Sequence, residues 1–206
     1  MMSERQIASE FQATALSPSR RWARHGHRGG VLWLTGLSGS GKSTLAVALE
    51  QELFSQGAQV FVLDGDNLRH GLNGDLGFSL ADRRENVRRV AEVAHAFAEI
   101  GMIVISAFIS PLHADRDNAR KMIGAGFHEV YLDADLSVCE KRDPKGLYRK
   151  ARAGFIEDFT GISSPYEKPQ TPELTLHTGI DQIEMCVAEL LAYADTIFAL
   201  SETKPE

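Results

Sequence analysis

Short apolar runs alternate with amphipathic stretches along this chain. Each run is nearly continuous in apolar residues and is bounded by glycine or polar residues, which is typical of a buried strand. Five strands are therefore predicted, at Val31–Thr35, Gln59–Asp64, Met102–Phe108, Phe127–Ala134 and Glu173–Thr178. Strands that alternate with helices predict a parallel α/β sheet covered on both faces, with ligands at the carboxyl ends of the strands.

The amphipathic stretches predict five helices. The clearest has Leu45, Leu49 and Leu53 at four-residue intervals and ends before Gly57. Ser79 is placed to cap the longest helix. The predicted helices span about Lys42–Gln56, Ser79–Ile100, Pro111–Ile123, Leu136–Lys141 and Asp181–Phe198.

The chain length of 206 residues suits a single domain with a sizeable core. Residues 1–28 are polar, and we expect an extended or mobile lead-in there. The domain itself is predicted over residues 29–200. Within it, residues 143–168 are rich in glycine, proline and charge, which predicts a mobile lid. Residues 201–206 are expected to form a frayed tail.

Composition narrows the function classes. The formal net charge of −6 argues against general nucleic-acid binding by charge. The chain has no run near the roughly 18 apolar residues that span a bilayer and no apolar leader, so we expect a cytoplasmic protein without membrane association. Cys139 and Cys186 lie outside any metal-binding pattern and are interpreted as buried thiols in a reducing compartment.

A phosphate-binding pattern, G-x-x-x-x-G-K-[ST], lies between the first predicted strand and helix as GLSGSGKST. Its glycines let the backbone curl around a phosphate with N–H groups inward, and the helix presents its positive end. In this pattern Lys42 reaches the β- and γ-phosphates and Ser43 offers its hydroxyl to Mg²⁺. The predicted ATP contacts of the loop are Gly36, Leu37, Ser38, Gly39, Ser40, Gly41, Lys42, Ser43 and Thr44.

This loop alone does not separate kinases from GTPases and motor ATPases. The chain has no NKxD-type guanine motif, and ISAFISP rather than an acidic pair ends the third predicted strand. The acidic residues, Asp64 and Asp66, end the second strand instead. Carboxylates there can hold metal-bound water or accept a hydroxyl proton, which favours a small-molecule kinase. Ser43 and Asp64 are the predicted metal ligands.

Basic residues follow the acidic pair. Arg69 and Arg83 flank the expected acceptor cleft, and their forked guanidinium groups suit phosphate or sulfate oxygens. Asn86 follows Arg83 by three residues on the predicted helix, so the two side chains share one face of it. Phe78 lies in a glycine-rich loop, where it is available to stack on a base. The other arginines of this helix are predicted to form a solvated face: Arg84, Arg88 and Arg89.

The chain resembles the adenylylsulfate (APS) kinase family from about Gly29 to Gly179. The likeness is carried by the ordered strings GLSGSGKST, DGDNLRHGLNGDLGFSLADRRENVRR, SAFISP, RDPKGLYRKARAG and FTGISSPYE. The resemblance implies a three-layer P-loop NTPase fold and a homodimer. It implies transfer of the ATP γ-phosphoryl group, with Mg²⁺, to the 3′-hydroxyl of APS, giving 3′-phosphoadenylylsulfate (PAPS) and ADP.

The resemblance also implies roles for individual residues. Phe78 and Phe159 would sandwich the adenine of APS while the arginines grip its phosphosulfate. Arg142 would face ATP from the lid. Asp66 would orient or deprotonate the 3′-hydroxyl, or serve Mg²⁺ instead. The implied APS contacts are Asp66, Arg69, Phe78, Arg83, Asn86, Ile109, Ser110, Lys145, Leu147 and Phe159.

Ser110 is marked in descriptions of the family as a phosphoserine intermediate. In-line transfer needs positioned oxygens, Mg²⁺ and positive charge rather than a covalent stop. Neither histidine nor another obvious base flanks Ser110 in the sequence. The residues themselves therefore favour a substrate-lining role at the end of a strand.

Other functions remain open from the sequence. One is a gluconate- or shikimate-type kinase, although such acceptors need no aromatic platform like Phe78 and Phe159. Another is a regulatory domain that binds PAPS without turnover, although the intact Lys42 and Ser43 favour catalysis. A third is the detached kinase half of a bifunctional protein, whose sulfurylase or GTPase partner would associate with it non-covalently.

Overall fold

Five parallel strands form one sheet in the computed structural model, which describes residues 16–200. The strand order is β2-β3-β1-β4-β5. This confirms the predicted parallel sheet, and the strand ends differ from the predicted ends by at most two residues. The strands are β1 (Gly30–Thr35), β2 (Val60–Asp64), β3 (Ile103–Ala107), β4 (Phe127–Leu132) and β5 (Leu174–Leu176).

Helices connect the strands and include all five that the sequence predicts. The helix expected to begin at Pro111 begins at His113, after an extended Leu112. Three short helices were not predicted: the first, third and seventh. The helices are α1 (Pro18–His25), α2 (Lys42–Ser55), α3 (Gly65–Arg69), α4 (Leu80–Glu99), α5 (His113–Ile123), α6 (Leu136–Arg142), α7 (Leu147–Arg152) and α8 (Ile183–Phe198).

Two apolar cores separate three layers. On one face of the sheet, Leu45 and Leu49 of α2 and Leu190 of α8 pack against strand residues such as Leu32. On the other face, α4 and α5 cover the alternate strand side chains, among them Trp33. Continuous burial of β1 and β3 follows from this double cover, as expected for central parallel strands.

The amino-terminal lead-in contains a helix, so the expected extended conformation is wrong for residues 18–25. Ser17 caps α1 by accepting from the backbone N–H of Arg20, and Pro18 occupies the first turn. The Arg28 guanidinium lies 5.1 Å from the ring centroid of Trp22. Residues 1–15 and the expected tail at 201–206 lie outside the described residues.

The predicted lid, residues 143–168, contains α7 and an apolar cluster of its own. Tyr148, Ala151 and Phe159 pack there with Ala134 and Cys139. The carboxylate of Asp143 accepts hydrogen bonds from the backbone N–H groups of Tyr148 and Arg149. These bonds stabilise the first turn of α7. The segment is therefore more ordered than its polar composition suggests, and its movement with ligand stays a prediction.

The register of the strands places several predicted site residues at one edge of the sheet. Asp64, at the end of β2, is paired with Ala107 of β3, and Ala107 is paired in turn with Leu34 of β1. The phosphate-binding loop after β1 and the Ile109–Ser110 step after β3 consequently open beside Asp64. Within the described residues, none of the helices combines the length and apolar character of a bilayer crossing.

Truncation of Leu45 tests the packing of α2, because this side chain is completely buried against the sheet. We expect Leu45→Ala to lower the free energy of unfolding by about 2–5 kcal/mol, through lost apolar contact and a residual cavity. Val47 lies on the same helix and is 47% exposed, so Val47→Ala is the matched control. Urea unfolding measures both. Equal destabilisation by the two variants would contradict this arrangement.

Candidate active site

The phosphate-binding loop wraps tightly between β1 and α2. A Cβ on Gly36 would lie 2.7 Å from Ser40 Oγ and 2.9 Å from the Leu132 carbonyl oxygen, so only glycine fits. Gly41 has a φ of +103°, which favours glycine at the start of α2. Among the described residues, no side chain caps this helix. Its terminal N–H groups are therefore available to an anion.

Lys42 is folded back onto the loop. Its ammonium group donates to the carbonyl oxygens of Gly36 at 2.9 Å and Leu37 at 2.8 Å. Burial lowers the pKa of Lys42 to about 8, while the neighbouring Asp64 and Asp66 act in the opposite direction. The ammonium is held beneath the loop, where the phosphates of a bound nucleotide would meet it.

Ser43 and Asp64, the predicted metal ligands, are brought together. Ser43 Oγ donates to Asp64 Oδ2 at 2.7 Å, and Asp64 Oδ1 accepts from the backbone N–H of Asp66 at 2.9 Å. The second contact caps α3, so the same carboxylate begins the helix that carries Asp66. This pairing places two hard oxygen donors beside the loop, as a Mg²⁺ site requires.

The segment that follows β4 reaches both halves of the site. Arg142 donates from Nη2 to the Thr178 carbonyl oxygen at 2.6 Å and from Nη1 to the Gly39 carbonyl oxygen at 3.4 Å. Lys145 contacts Asp66, with both side chains exposed. Arg142 therefore lies at the phosphate loop and Lys145 at the acidic pair, and their contacts with ATP and APS stay predictions.

Arg69 and Phe78, two of the predicted acceptor contacts, lie against each other. The Arg69 guanidinium carbon lies 4.2 Å from the Phe78 ring centroid, and Phe78 is 65% exposed. Arg69 Nη1 also donates to the carbonyl oxygens of Leu76 and Gly77. The loop before α4 thus holds the arginine over an aromatic ring whose surface remains open to a ligand.

Arg83 ties the first turn of α4 to the lid segment. Its Nε donates to the Phe78 carbonyl oxygen, its Nη1 to Thr160 Oγ1 at 2.7 Å and its Nη2 to the Asp158 carbonyl oxygen. Asp158 has a φ of +53°, which aims this carbonyl at the guanidinium. The predicted acceptor arginine is accordingly fixed from both sides.

Asn86 lies one turn further along α4 and is mostly buried. Its Oδ1 accepts from Nδ2 of Asn73 at 2.9 Å. The remaining arginines of α4 pair with carboxylates, Arg88 with Glu85 and Glu92, and Arg89 with Asp75 and Glu85. Arg84 is paired with Asp115 at 3.3 Å. Arg84 and Arg88 are exposed, as expected for a solvated face, whereas Arg89 is half-buried and also donates to the Leu72 carbonyl oxygen.

The Ile109–Ser110 step is held by the core. Trp33 Nε1 donates to Ser110 Oγ at 3.0 Å, and Thr35 Oγ1 donates to the Ile109 carbonyl oxygen at 2.7 Å. Ser110 is 3% exposed and has a φ of +38°. Arg116 Nη1 donates to its carbonyl oxygen at 2.6 Å, which stabilises that turn. The hydroxyl is thus anchored at the strand end where lining of a substrate was predicted.

The two rings expected to stack on adenine have different surroundings. Phe159 is 8% exposed and packs edge-on against Tyr148, with centroids 5.0 Å apart. Leu147 packs against the same cluster. Within residues 16–200, no ring contact joins Phe78 and Phe159. A sandwich of adenine by both rings stays a prediction, and it requires the base to reach the accessible rim of Phe159.

Several residues of the site escape prediction from the sequence. Arg116 is 2% exposed and is held by Glu129 at 2.6 Å, while Nη2 donates to the Glu167 carbonyl oxygen. Thr160 and Asn73 are equally buried in loops. These residues contact other segments of the chain, so the spacing of residues in the sequence does not predict them. Thr160 directly follows Phe159, a predicted APS contact, and this neighbour was the one available indication.

The lowered pKa of Lys42 predicts proton uptake when nucleotide binds. With a pKa of about 8, much of Lys42 is neutral near pH 8.5 in the protein without nucleotide. Bound phosphates should raise this pKa, so that Lys42 takes up a proton. We expect ADP binding there to take up on the order of half a proton, a value that should decline below about pH 7. Calorimetry in buffers of different ionisation enthalpy measures it.

Lys121→Met, at an exposed lysine of α5, is the matched control and should retain the uptake. Lys42→Met should remove the uptake together with most of the affinity. ADP binding to the unchanged protein without net proton uptake near pH 8.5 would contradict the assignment.

The comparisons with known proteins agree with this geometry. The family model described as adenylylsulphate kinase matches residues 28–177. The adenylyl-sulfate kinase of Clostridium acetobutylicum is 56% identical over 183 residues, which are 89% of this chain and 92% of that protein.

Solved structures give the same result. The Mycobacterium tuberculosis APS kinase in complex with AMPPNP and APS matches with a TM-score of 0.77 and 52% identity, over 80% of this chain and 96% of that one. A gluconokinase from Sinorhizobium meliloti, at 18% identity and a TM-score of 0.53, covers 82% and 95% of the two chains and shares the fold alone. This chain belongs to the adenylylsulfate kinase family.

Proposed function

We propose that this chain phosphorylates the 3′-hydroxyl of APS with the γ-phosphoryl group of ATP, giving PAPS and ADP. The observation that carries the proposal is a single open edge of the sheet. The phosphate loop with Lys42, the acidic pair at Asp64 and Asp66, and the Arg69–Phe78 pair all face this edge. The M. tuberculosis relative, whose structure holds AMPPNP and APS, supports the choice of both substrates.

On the ATP side, loop N–H groups at the start of α2 bind the phosphates, and Lys42 places positive charge on them. Arg142, tied to the loop through Gly39, adds charge from the lid side. This arrangement stabilises the negative charge that gathers on the β–γ bridging oxygen as its bond to phosphorus breaks and ADP departs.

Mg²⁺ fits the oxygens of Ser43 and Asp64. These are hard donors, and Mg²⁺ usually binds through few protein groups together with substrate phosphates. Ser43 and Asp64 would hold the ion beside the phosphate loop, where it would supply positive charge to the phosphates of ATP. The Ser43–Asp64 hydrogen bond already sets the spacing of the two protein oxygens.

On the acceptor side, Asp66 is the group we propose to orient the 3′-hydroxyl and accept its proton. The hydroxyl oxygen attacks the γ-phosphorus in line, its O–H bond breaks, and the proton passes to the Asp66 carboxylate. Lys145 contacts this carboxylate and adds positive charge beside the reacting atoms.

Arg69, Arg83 and Phe78 suit the rest of APS. The guanidinium groups match phosphosulfate oxygens, while the exposed face of Phe78 suits adenine. Asn86, Ile109, Leu147 and Phe159 complete the proposed contacts. Ser110 lines the site in this proposal, because its hydroxyl is anchored by Trp33 and direct in-line transfer needs no phosphoserine.

The proposal extends to assembly and compartment. A homodimer is the assembly that the family resemblance implies, and non-covalent association with ATP sulfurylase would pass APS between sequential steps. Both described cysteines are free and buried, which suits a reducing compartment such as the cytoplasm. Sulfate assimilation is the pathway in which this activity would serve.

A panel of acceptors tests the reaction. We expect ATP-dependent ADP release with APS, and little or none with AMP, gluconate or shikimate, because only APS presents both adenine and phosphosulfate. Lys42→Ala should lower kcat by at least about a thousandfold while the fold is retained, since it removes charge that stabilises the transition state. Lys121→Ala is the control. Turnover of gluconate in place of APS would sink the proposal.

Arg83→Ala tests the acceptor clamp separately. Loss of a charge-assisted contact should raise the KM for APS by about tenfold or more, with a smaller change in the KM for ATP. Arg88→Ala, on the same helix but paired with Glu85 and Glu92, should leave both values near those of the unchanged protein. A wild-type KM for APS in Arg83→Ala would remove Arg83 from the site.

A further inference from the structure

Asn73 is completely buried in the glycine-rich turn between α3 and α4. Its backbone is fixed at both ends, because its N–H donates to the Leu68 carbonyl oxygen at 2.9 Å and its carbonyl oxygen accepts from the N–H of Leu76 at 3.2 Å. An amide side chain is costly to bury unless its polar atoms are paired. In Asn73, Nδ2 is paired with Asn86, whereas Oδ1 is buried and has no hydrogen-bond partner among the described residues. A leucine of similar volume would pack without this cost, so a buried amide at this position indicates a role beyond packing.

A hydrogen bond from the side chain of Asn73 orients the amide of Asn86. Its Nδ2 donates to Asn86 Oδ1 at 2.9 Å, so the oxygen of Asn86 is turned toward the loop. The NH₂ group of Asn86 is on the opposite branch of the amide. Within residues 16–200, no hydrogen bond uses this NH₂ group. The pairing leaves Asn86 as a donor on the helix face it shares with Arg83.

The same turn carries the other half of the acceptor region. Arg69 donates to the carbonyl oxygens of Leu76 and Gly77, at 3.1 Å each, and its guanidinium covers Phe78. Because Asn73 hydrogen-bonds Leu76 through its backbone and Asn86 through its side chain, it joins this turn to α4. Arg89 of α4 also contacts this turn, at the Leu72 carbonyl oxygen and the Asp75 carboxylate, but Asn73 makes the buried link that ends on Asn86.

We propose that Asn73 is a positioning residue for the acceptor nucleotide. It fixes Asn86 as a hydrogen-bond donor toward an accepting atom of APS, and its backbone contact with Leu76 helps to hold the turn that carries Arg69 and Phe78. The inference rests on the proposed function, since APS is the ligand that Asn86 would meet. Asn73 itself acts through Asn86 and does not touch the reacting atoms.

Asn73→Leu tests this role, because it keeps the volume and removes the donor. We expect the KM for APS to rise about tenfold, as for the loss of one oriented hydrogen bond. The KM for ATP and the affinity for ADP should stay within about twofold, since the phosphate loop is untouched. Asn118→Leu, at an exposed asparagine of α5, is the matched control and should change neither value.

A double-mutant cycle separates positioning from general support of the fold. In an Asn86→Ala background, Asn73→Leu should raise the KM for APS by less than about twofold, because the group it orients is gone. An equal tenfold rise in both backgrounds would overturn the mechanism through Asn86. An unchanged KM for APS in the single variant would overturn the proposal altogether.

Asn73→Ser provides a second variant if the leucine disturbs folding, because its short side chain also cannot reach Asn86. ADP binding shows that each variant is folded. If the unchanged protein fails to release ADP with APS, the proposed function is at fault. If it turns over APS and neither Asn73 variant alters the KM for APS, the positioning role alone is wrong.

Discussion

The order of the parallel strands is the constraint on which the site depends. Because all five strands are parallel, the chain leaves the sheet at the same edge after each strand, and the order β2-β3-β1 makes three of these exits neighbours. The segment after each strand carries a different chemical group. The phosphate loop follows β1, the carboxylates of Asp64 and Asp66 lie at the end of β2, and Ser110 follows β3. None of these segments makes a site alone, since their functional groups come together only through the backbone hydrogen bonds of the sheet.

A second set of contacts joins this edge to residues 143–168. Arg83 joins α4 to Asp158 and Thr160, and Lys145 reaches Asp66 from the same lid segment. The chain is acidic overall, with a formal net charge of −6, yet these cations face the acceptor region. Local charge rather than net charge therefore governs which ligand is attracted. Arg83 also makes the position of the helix depend on that of the lid segment.

Much of the fold could be predicted from the sequence, because the spacing of apolar residues shows which side chains are buried. The ends of the five strands and of five of the helices were predicted to within two residues, and the loop from Gly36 to Thr44 was recognised by spacing. The α1 helix was missed because it has no apolar stripe; its cap at Ser17 and its Trp22–Arg28 contact stabilise it instead. Asn73 and Arg116 were missed because a buried polar residue is defined by distant partners, which a local pattern does not contain.

The Trp33–Ser110 hydrogen bond has an optical consequence. The chain contains two tryptophans, and Trp22 lies on α1, before the amino end of the first strand. Trp33 is fully buried in the core, and its indole N–H is in direct contact with the hydroxyl at the acceptor edge. Indole emission responds to polarity and hydrogen bonding at that nitrogen. The protein therefore carries its own fluorophore for events at Ser110, without an attached label.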